Sequence, residues 1–464
     1  AEFGPASHTI YKIGDGRGLN PKYSWIRKLI QWQKNTDNVN NYQVNVLANF
    51  IYVFTPKGDI IELPAGATVK DFAYKIHTEL GKKCKKGKVN GKIVDKYQVL
   101  KTGDKVEAIW MKWGDIGLIC YNDFMTNEDR INLITRNCEE IITREDLKKL
   151  VESGRPIKHY IGFEISGLVH LGTGLMAMGK IADFVQAGVD CTILLADYHS
   201  FLNNKLGGDW AEIRWAAENY FKEALIASLK CFNIEAGQID WLTEKDFYKE
   251  NPEIWEKLMR VSQHITLSRN LRSISIMGKA KGKEVDMATL IYPPLQVADI
   301  FTLDIDLAHA GMDQRKAHVV ARDVAKKLKW KPPIAIHHNL VAGLKAATSD
   351  LKMSKSKPES AIFIHDSPEE IRAKIKKAYC PPAIIDNNPM INWLKTLMFW
   401  GEETAEYKQL IKDYQSGRLH PLDLKEKIGD WLIKKLAPAR AHFEIEKNKQ
   451  SLARMKSDCF PKNL

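Results

Sequence analysis

Between residues 157 and 338 short apolar runs alternate with longer amphipathic ones: "IKHYIGFEIS", "HLGTGLMAMGKIADFVQ" and "CTILLAD", then "IDLAHA", "MDQRKAHVVARDVAKKL" and "PPIAIHH". The short runs read as strands and the long ones repeat apolar residues at helical spacing. Strand–helix–strand order calls for a parallel sheet with crossover helices. The expectation is an α/β, Rossmann-type doubly wound domain, which binds ligands beyond the carboxyl ends of its strands where the strand order reverses. "DWAEIRWAAENYFKEALIASLKCF" adds a long amphipathic helix, and from about Ser367 onward helical segments alone predict a smaller C-terminal helical domain.

A chain of 464 residues exceeds one ordinary core, so roughly two to four domains are expected. Residues 51–112 read as one of them. "IYVF" and "IIEL" are strands around the turn "TPKGD", "ATVKDFAYKIHTEL" is an amphipathic helix, and "KVNGKIV" and "KVEAIW" complete a ββαβββ order. The net charge of +12 points to a polyanionic partner, nucleic acid first. Seven widely spaced cysteines with no C-x-x-C pair indicate neither a zinc ribbon nor a disulfide framework, and fit a reducing cytoplasm. No run approaches the roughly 18 apolar residues of a membrane span, and the start "AEFGPASH" has no signal-peptide pattern.

Two stretches carry chemistry. In "ISGLVHLGTG", residues 165–174, His170 and Gly172 sit where a strand turns into a helix. There, backbone N–H groups and the helix dipole attract phosphate, and a small residue lets it approach. No G-x-x-x-x-G-K-[ST] is present, so this is not a P-loop. About 180 residues later "KMSKS" places Lys352 and Lys355 three apart, with Ser354 between them. Such a loop is either a solvated surface turn or a clamp on charge developing between α- and β-phosphates.

The pair resembles the HIGH and KMSKS signatures of class I aminoacyl-tRNA synthetases, with "HLGT" in the HIGH place and Thr173 replacing its last histidine. "YIGFEISGLVHLG", "ILLADYHSFL", "IYPPLQVADI", "GMDQRKAH" and "SPEEIRAKIKKAYCP" further resemble archaeal/eukaryotic-type tyrosyl-tRNA synthetases, over about residues 124–440. "YVFTPKGDIIELPAGATVKDFAYKIHTELG" resembles the TGS domain of RelA/SpoT proteins, a β-grasp, ubiquitin-like α+β module. "AEFGPASH" and "YSWIRKLIQWQ" resemble the segment leading into it; the catalytic body of that alarmone synthetase is missing. The implied organisation is a flank (1–48), a TGS domain (49–112), a catalytic domain (113–345), the KMSKS loop (346–362) and a helical anticodon-binding domain (363–464).

The resemblance implies ATP with Mg²⁺ on its phosphates, L-tyrosine and tRNA(Tyr) as ligands, a homodimer, and no protein-held metal. It places Tyr160 and Asp299 on the substrate phenol, Tyr292, Gln296 and Gln314 around its amino group, and Leu194, Ala196 and His199 on the pocket wall. His170, Thr173, Lys352 and Lys355 are assigned to the transition state, with Gly172, Gly311, Asp313 and Ser354 on ATP. Arg272, Arg315 and Lys316 match acceptor-stem positions, and His420 and Asp423 the anticodon reader. Asp423 also reads as an N-cap, and Asp313 as an ordinary acid at a helix start. Lysines of "GKKCKKGK" offer an RNA contact on the TGS domain or a solvated loop. Two other functions fit the same motifs: a tryptophanyl-tRNA synthetase, or a non-catalytic RNA-binding protein built on a synthetase core.

Overall fold

The computed structural model describes residues 50–55, 60–76, 84, 86–90, 92–109, 125–277, 285–345, 353 and 360–459, and divides the chain into two compact units, 1–124 and 125–464. In the first unit β1 (Phe50–Phe54) pairs antiparallel with β2 (Ile60–Pro64). Thr68 and Asp71 then exchange hydrogen bonds at the start of α1 (Val69–Ile76), whose Val69, Phe72 and Ala73 fill the core with Val53, Leu63 and Val106. β3 (Lys86–Val89), β4 (Lys92–Asp95) and β5 (Val106–Ile109) form a separate sheet in the order β4-β3-β5. The sequence predicts one small sheet; the structure builds two, linked by the bridge Phe54–Lys105. Gly103, at φ 94°, turns the chain so that its own N–H reaches Tyr52 while the residues after Lys105 join β3.

The second unit carries the expected sheet. β6 (Cys138–Ile142), β7 (Ile157–Glu164), β8 (Val189–Ala196), β9 (Ile239–Thr243), β10 (Leu307–Gly311) and β11 (Ile334–His338) stand in the order β6-β11-β10-β7-β8-β9, with β6 antiparallel and the rest parallel. The chain runs outward from β7 through β8 to β9, then restarts at β10 and runs the other way, so the order reverses between β7 and β10. Their pairing covers only Leu307–His159 and Ala308–Tyr160, although β7 continues to Glu164 and β10 to Gly311. The two strands therefore part at their carboxyl ends and leave the crevice that such a fold provides.

Helices cover the sheet. α2 (Asn127–Thr135) ends against the buried Lys180 of α3 (Met178–Gln186), whose ammonium donates to Leu133 O, Arg136 O and Asp183. These bonds satisfy carbonyls that a helix end leaves open. Trp400 Nε1 donates to the same Asp183 at 2.9 Å, tying the C-terminal helices to the sheet layer. α4 (Glu244–Glu250), α5 (Met287–Thr302) and α6 (Arg315–Leu328) line the crevice. From Ser367 on, the regular elements among the described residues are all helices, beginning with a capping box between Ser367 and Glu370.

Candidate active site

Tyr160 of β7 and Asp299 of α5 are both buried and near each other, Tyr160 shares an apolar cluster with Leu194 of β8, and Ala196, two residues further on that strand, is buried as well. Gly162 makes room for the Tyr160 hydroxyl, because a Cβ there would come within 2.7 Å of it. Asp299 Oδ1 accepts from Tyr248 at 2.8 Å, and its Oδ2 has no hydrogen-bond partner among the described residues. Burial and then the Glu244 carboxylate push the Asp299 carboxyl well above the usual carboxylate range. Burial, with Asp299 and Glu244 nearby, likewise raises the Tyr160 phenol, so it stays protonated and can donate.

His199 joins the same cluster. Its Nδ1 is hydrogen-bonded to Glu244, its backbone N–H donates to the other Glu244 oxygen at 3.0 Å, and its ring meets Tyr292 edge-on at 4.5 Å. Burial pulls the imidazole down, but the Glu244 carboxylate outweighs it and the pKa rises to about 9. His199, Glu244 and Asp299 stand close enough to hold a cation. Two of the three are already joined to each other by the hydrogen bond between His199 Nδ1 and Glu244.

Further along α5, Tyr292 donates to Glu164 at 2.8 Å and Gln296 Nε2 reaches Gln314 Oε1 at 3.5 Å. Gln296 Oε1 is buried without a partner among the described residues, while Glu164 also binds Asn203 and lies 3.3 Å from Lys205. A phenolic oxygen, an amide oxygen and a carboxylate form an acceptor set suited to an ammonium group.

The nucleotide motifs meet by backbone pairing. His170 bridges Phe363, Leu171 N–H donates to Ile362 O at 3.1 Å and Ile364 N–H to Val169 O at 3.1 Å. His170 Nδ1 accepts from Gly172 N–H at 3.0 Å, and Thr173 is half-buried in the first turn of the helix that follows. Lys352, Ser354 and Lys355 lie outside the described residues. Of the described residues around them, Met353 N–H donates to Val341 O at 3.1 Å and Leu344 N–H to Ser360 O at 3.0 Å. Ser360 leads directly into the segment paired with His170. At the end of β10, a Cβ on Gly311 would lie 2.6 Å from Asp313 Oδ1, so only glycine leaves this edge open.

Of the RNA candidates, Arg272 is exposed, Lys316 donates to Ser275 at 2.7 Å, and Arg315 makes two bonds to Glu140 at 2.7 and 2.8 Å. His420 and Asp423 are exposed at one helix start. The N-cap there is His420, whose Nδ1 accepts from Leu422 N–H at 3.2 Å; Asp423 sits in the first turn. Sequence reasoning passed over Glu164, Glu244 and Tyr248. The second and third lie in "TEKDFYKE", which reads as a solvated helix face; an acid one residue into the helix capped by Thr243 was the available signal.

The family described as tRNA synthetases class I (W and Y) matches residues 152–437, and the TGS domain matches residues 51–109. The tyrosine–tRNA ligase of Thermococcus sibiricus is 43% identical over 373 residues, covering 72% of this chain and 99% of that protein. That of Pyrococcus abyssi is 44% identical over 360 residues, covering 69% and 96%. Among solved structures, a tyrosyl-tRNA synthetase of Pyrococcus horikoshii in complex with L-tyrosine superposes with a TM-score of 0.67 at 42% identity, covering 72% of this chain and all of that one. With a doubly wound sheet, a split strand pair and a histidine motif paired to the lysine-loop exit, the chain belongs to the class I tRNA synthetases of the tryptophan and tyrosine group, with a TGS domain ahead of the catalytic fold.

Proposed function

We propose that the chain is a tyrosine–tRNA ligase that activates L-tyrosine with ATP and passes it to tRNA(Tyr). The observation that carries this reading is the buried Asp299 Oδ2 near Tyr160, which has no hydrogen-bond partner among the described residues and lies 3.8 Å from His199 Nδ1. A substrate phenol hydrogen-bonds to that oxygen and to the Tyr160 hydroxyl. Tyr292, Gln296, Gln314 and Glu164 receive its ammonium.

The substrate carboxylate oxygen then attacks the ATP α-phosphorus as the bond to the bridging oxygen breaks, giving tyrosyl-adenylate and pyrophosphate. The nucleophile is already ionised, so the protein's task is positioning and charge stabilisation. His170, Thr173, Lys352 and Lys355 serve the phosphates, Gly311 and Asp313 the adenosine, and Mg²⁺ arrives with the ATP. The domain boundaries given above are adopted in the same reading. The experiment is isolation of tyrosyl-adenylate by mass spectrometry from protein, tyrosine and ATP. The double variant Lys352→Ala/Lys355→Ala is expected to form it at least ~100-fold more slowly, and an unchanged rate would remove those lysines from the mechanism.

Arg272, Lys316 and the Arg315–Glu140 pair face the acceptor stem, and His420 and Asp423 the anticodon. Met259, Leu267, Leu271 and Met287, exposed on helices that pack together, support a homodimer, which sedimentation would detect. On the TGS domain, exposed Tyr74 and Tyr97 lie within 5.9 Å of Lys70, and Tyr97 lies 5.0 Å from Lys96, which supports an RNA ligand held by stacking and charge. Among the described residues five cysteines are free and no helix is long and apolar enough to cross a membrane; the free thiols support a cytoplasmic setting.

A further inference from the structure

Arg315 opens α6 and Lys316 follows it, so two cations stand at the positive end of a helix of 14 residues. They do not serve the helix there, because its dipole favours acids at that end. What fixes Arg315 comes from the edge strand of the sheet. Glu140 of β6 accepts from Arg315 Nε on one carboxylate oxygen at 2.7 Å and from Nη2 on the other at 2.8 Å.

Glu140 is itself held from behind. His337 of β11 stands opposite it in the antiparallel strand pair, is fully buried, and places its Nδ1 3.0 Å from the oxygen that also receives Arg315 Nε. His337 Nε2 in turn lies 3.1 Å from Nδ1 of His318, which is buried on α6 one turn after Arg315. Burial lowers both imidazoles, His318 to about 3, so both are neutral at pH 7. A carboxylate only accepts, so His337 donates from Nδ1, and His318 donates to the bare His337 Nε2. The bonds close a ring: α6 supplies Arg315 and His318, and Glu140 and His337 join them across two strands.

A guanidinium has five N–H donors and can offer a pair of them along its side, from Nε and Nη2, or at its end, from Nη1 and Nη2. The side pair is taken by Glu140, while both protons of Nη1 and one of Nη2 make no hydrogen bond among the described residues. The Arg315 side chain is 43% exposed, so a ligand can reach it. A two-bond pair has a fixed geometry, so the ring that holds the carboxylate also sets the direction of the end pair.

We propose that Glu140 is a positioning residue for RNA: the His318–His337–Glu140 arm grips Arg315 along its side and aims the Nη1/Nη2 end at the tRNA acceptor stem. The inference rests on the reading of Arg315 as an acceptor-stem contact. Charge alone predicts the opposite for Glu140, since an acid beside a polyanion repels it and its removal would strengthen binding.

The test is aminoacylation by the full chain, with tRNA(Tyr) varied at one fixed salt concentration. Glu140→Gln is expected to raise KM for the tRNA about fivefold with little change in kcat, and Arg315→Ala to raise it about tenfold or more. In the Arg315→Ala background Glu140→Gln is expected to add nothing, because no guanidinium is left to orient. An unchanged or lower KM in Glu140→Gln, beside a raised one in Arg315→Ala, overturns the inference and leaves the Arg315 reading standing. Losses that add in the double variant, or an equal loss in tyrosine-dependent pyrophosphate exchange, which uses no tRNA, would make Glu140 a support of the fold alone and overturn it too. Wild-type KM in Arg315→Ala would remove Arg315 from the RNA contact and the inference with it, and an unmodified protein that charges no tRNA would sink the ligase reading itself. If Glu140→Gln does not fold, Arg315→Lys carries the comparison. It keeps the charge without the fork and is expected to lose as much tRNA affinity as Arg315→Ala; wild-type affinity there would overturn the proposal.

Discussion

The hydroxyl of Tyr248 donates to Asp299 Oδ1 at 2.8 Å and leaves Oδ2 of the same carboxyl group buried and without a hydrogen-bond partner among the described residues, 3.8 Å from His199 Nδ1. One helix residue thus holds the acid's orientation while the other oxygen waits for a donor. Replacing Asp299 by Ala leaves the substrate hydroxyl desolvated and unpaired, which costs about 1–3 kcal/mol or more. The expected outcome is a fall in kcat/KM for tyrosine of about 10- to 100-fold or more, with a smaller fall for phenylalanine. Tyr248→Phe removes only the orienting bond, so a loss of a few-fold is expected. Steady-state pyrophosphate exchange with the two amino acids measures both.

Glu244 keeps His199 charged inside the pocket. The folded pKa of His199, about 9, lies above the ordinary imidazole value of 6.5. Its contribution to stability is therefore complete below about pH 6.5 and is lost as pH rises through 9. Melting temperature should fall between pH 7 and 10. Glu244→Gln should lower it at pH 7, by about 3–5 kcal/mol in unfolding free energy, and flatten that alkaline slope. A Glu244→Gln protein with the wild-type slope would refute the pairing.

The acid limb has a different origin. Asp306, at the amino end of β10, is buried, which alone would raise its pKa; bonds from Arg155 at 2.6 and 2.9 Å, from Lys158 N–H at 3.0 Å and from Lys331 outweigh that and hold it at about 2. A depressed carboxyl stabilises above its unfolded value near 4, and that stability is lost as pH falls through 2. Asp306→Asn is expected to lower stability at pH 7 by roughly 2 kcal/mol and to make the pH 4 to 2 decline shallower. Urea titrations at pH 7 and pH 3 check both.

Gly174 seats the histidine motif against the chain that leaves the lysine loop. A Cβ there would stand 2.3 Å from Ile364 Cγ2, inside any tolerable contact. Gly174→Ala should cost about 1–3 kcal/mol and lower the rate of adenylate formation while the affinity for tyrosine stays near wild type. An active, fully stable Gly174→Ala protein would show that the pairing of residues 169–171 with 362–364 does not position the loop.

Parts of this architecture are written plainly in the chain. β7, β8, β10 and β11 are apolar enough to stand out, and the glycine–histidine turn and lysine loop mark the two sides of one site. β6 and β9 escape because "CEEII" and "IDWLT" are short edge strands with exposed faces, and neither alternates cleanly. The resemblance proposes which residues form the apolar wall and which polar ones face the substrate. Glu244 and Tyr248 lie outside it, since they come from a charged helix some 45 to 50 residues from the groups they orient. The ring contacts of His159 with His309 at 3.1 Å and of His309 with His338 at 2.8 Å are invisible for a related reason: strand pairing, which brings the three together, is a property of register and not of local composition.

The central claim is that this pocket selects a phenol. Pyrophosphate exchange into ATP by the full chain, driven in parallel by tyrosine, phenylalanine and tryptophan, tests it most directly. Exchange with tyrosine, at least ~100-fold faster than with either competitor and slowed about 10-fold or more by Asp299→Ala, is the predicted result. Exchange driven by tryptophan, or tyrosine-driven exchange at the wild-type rate in Asp299→Ala, would contradict it.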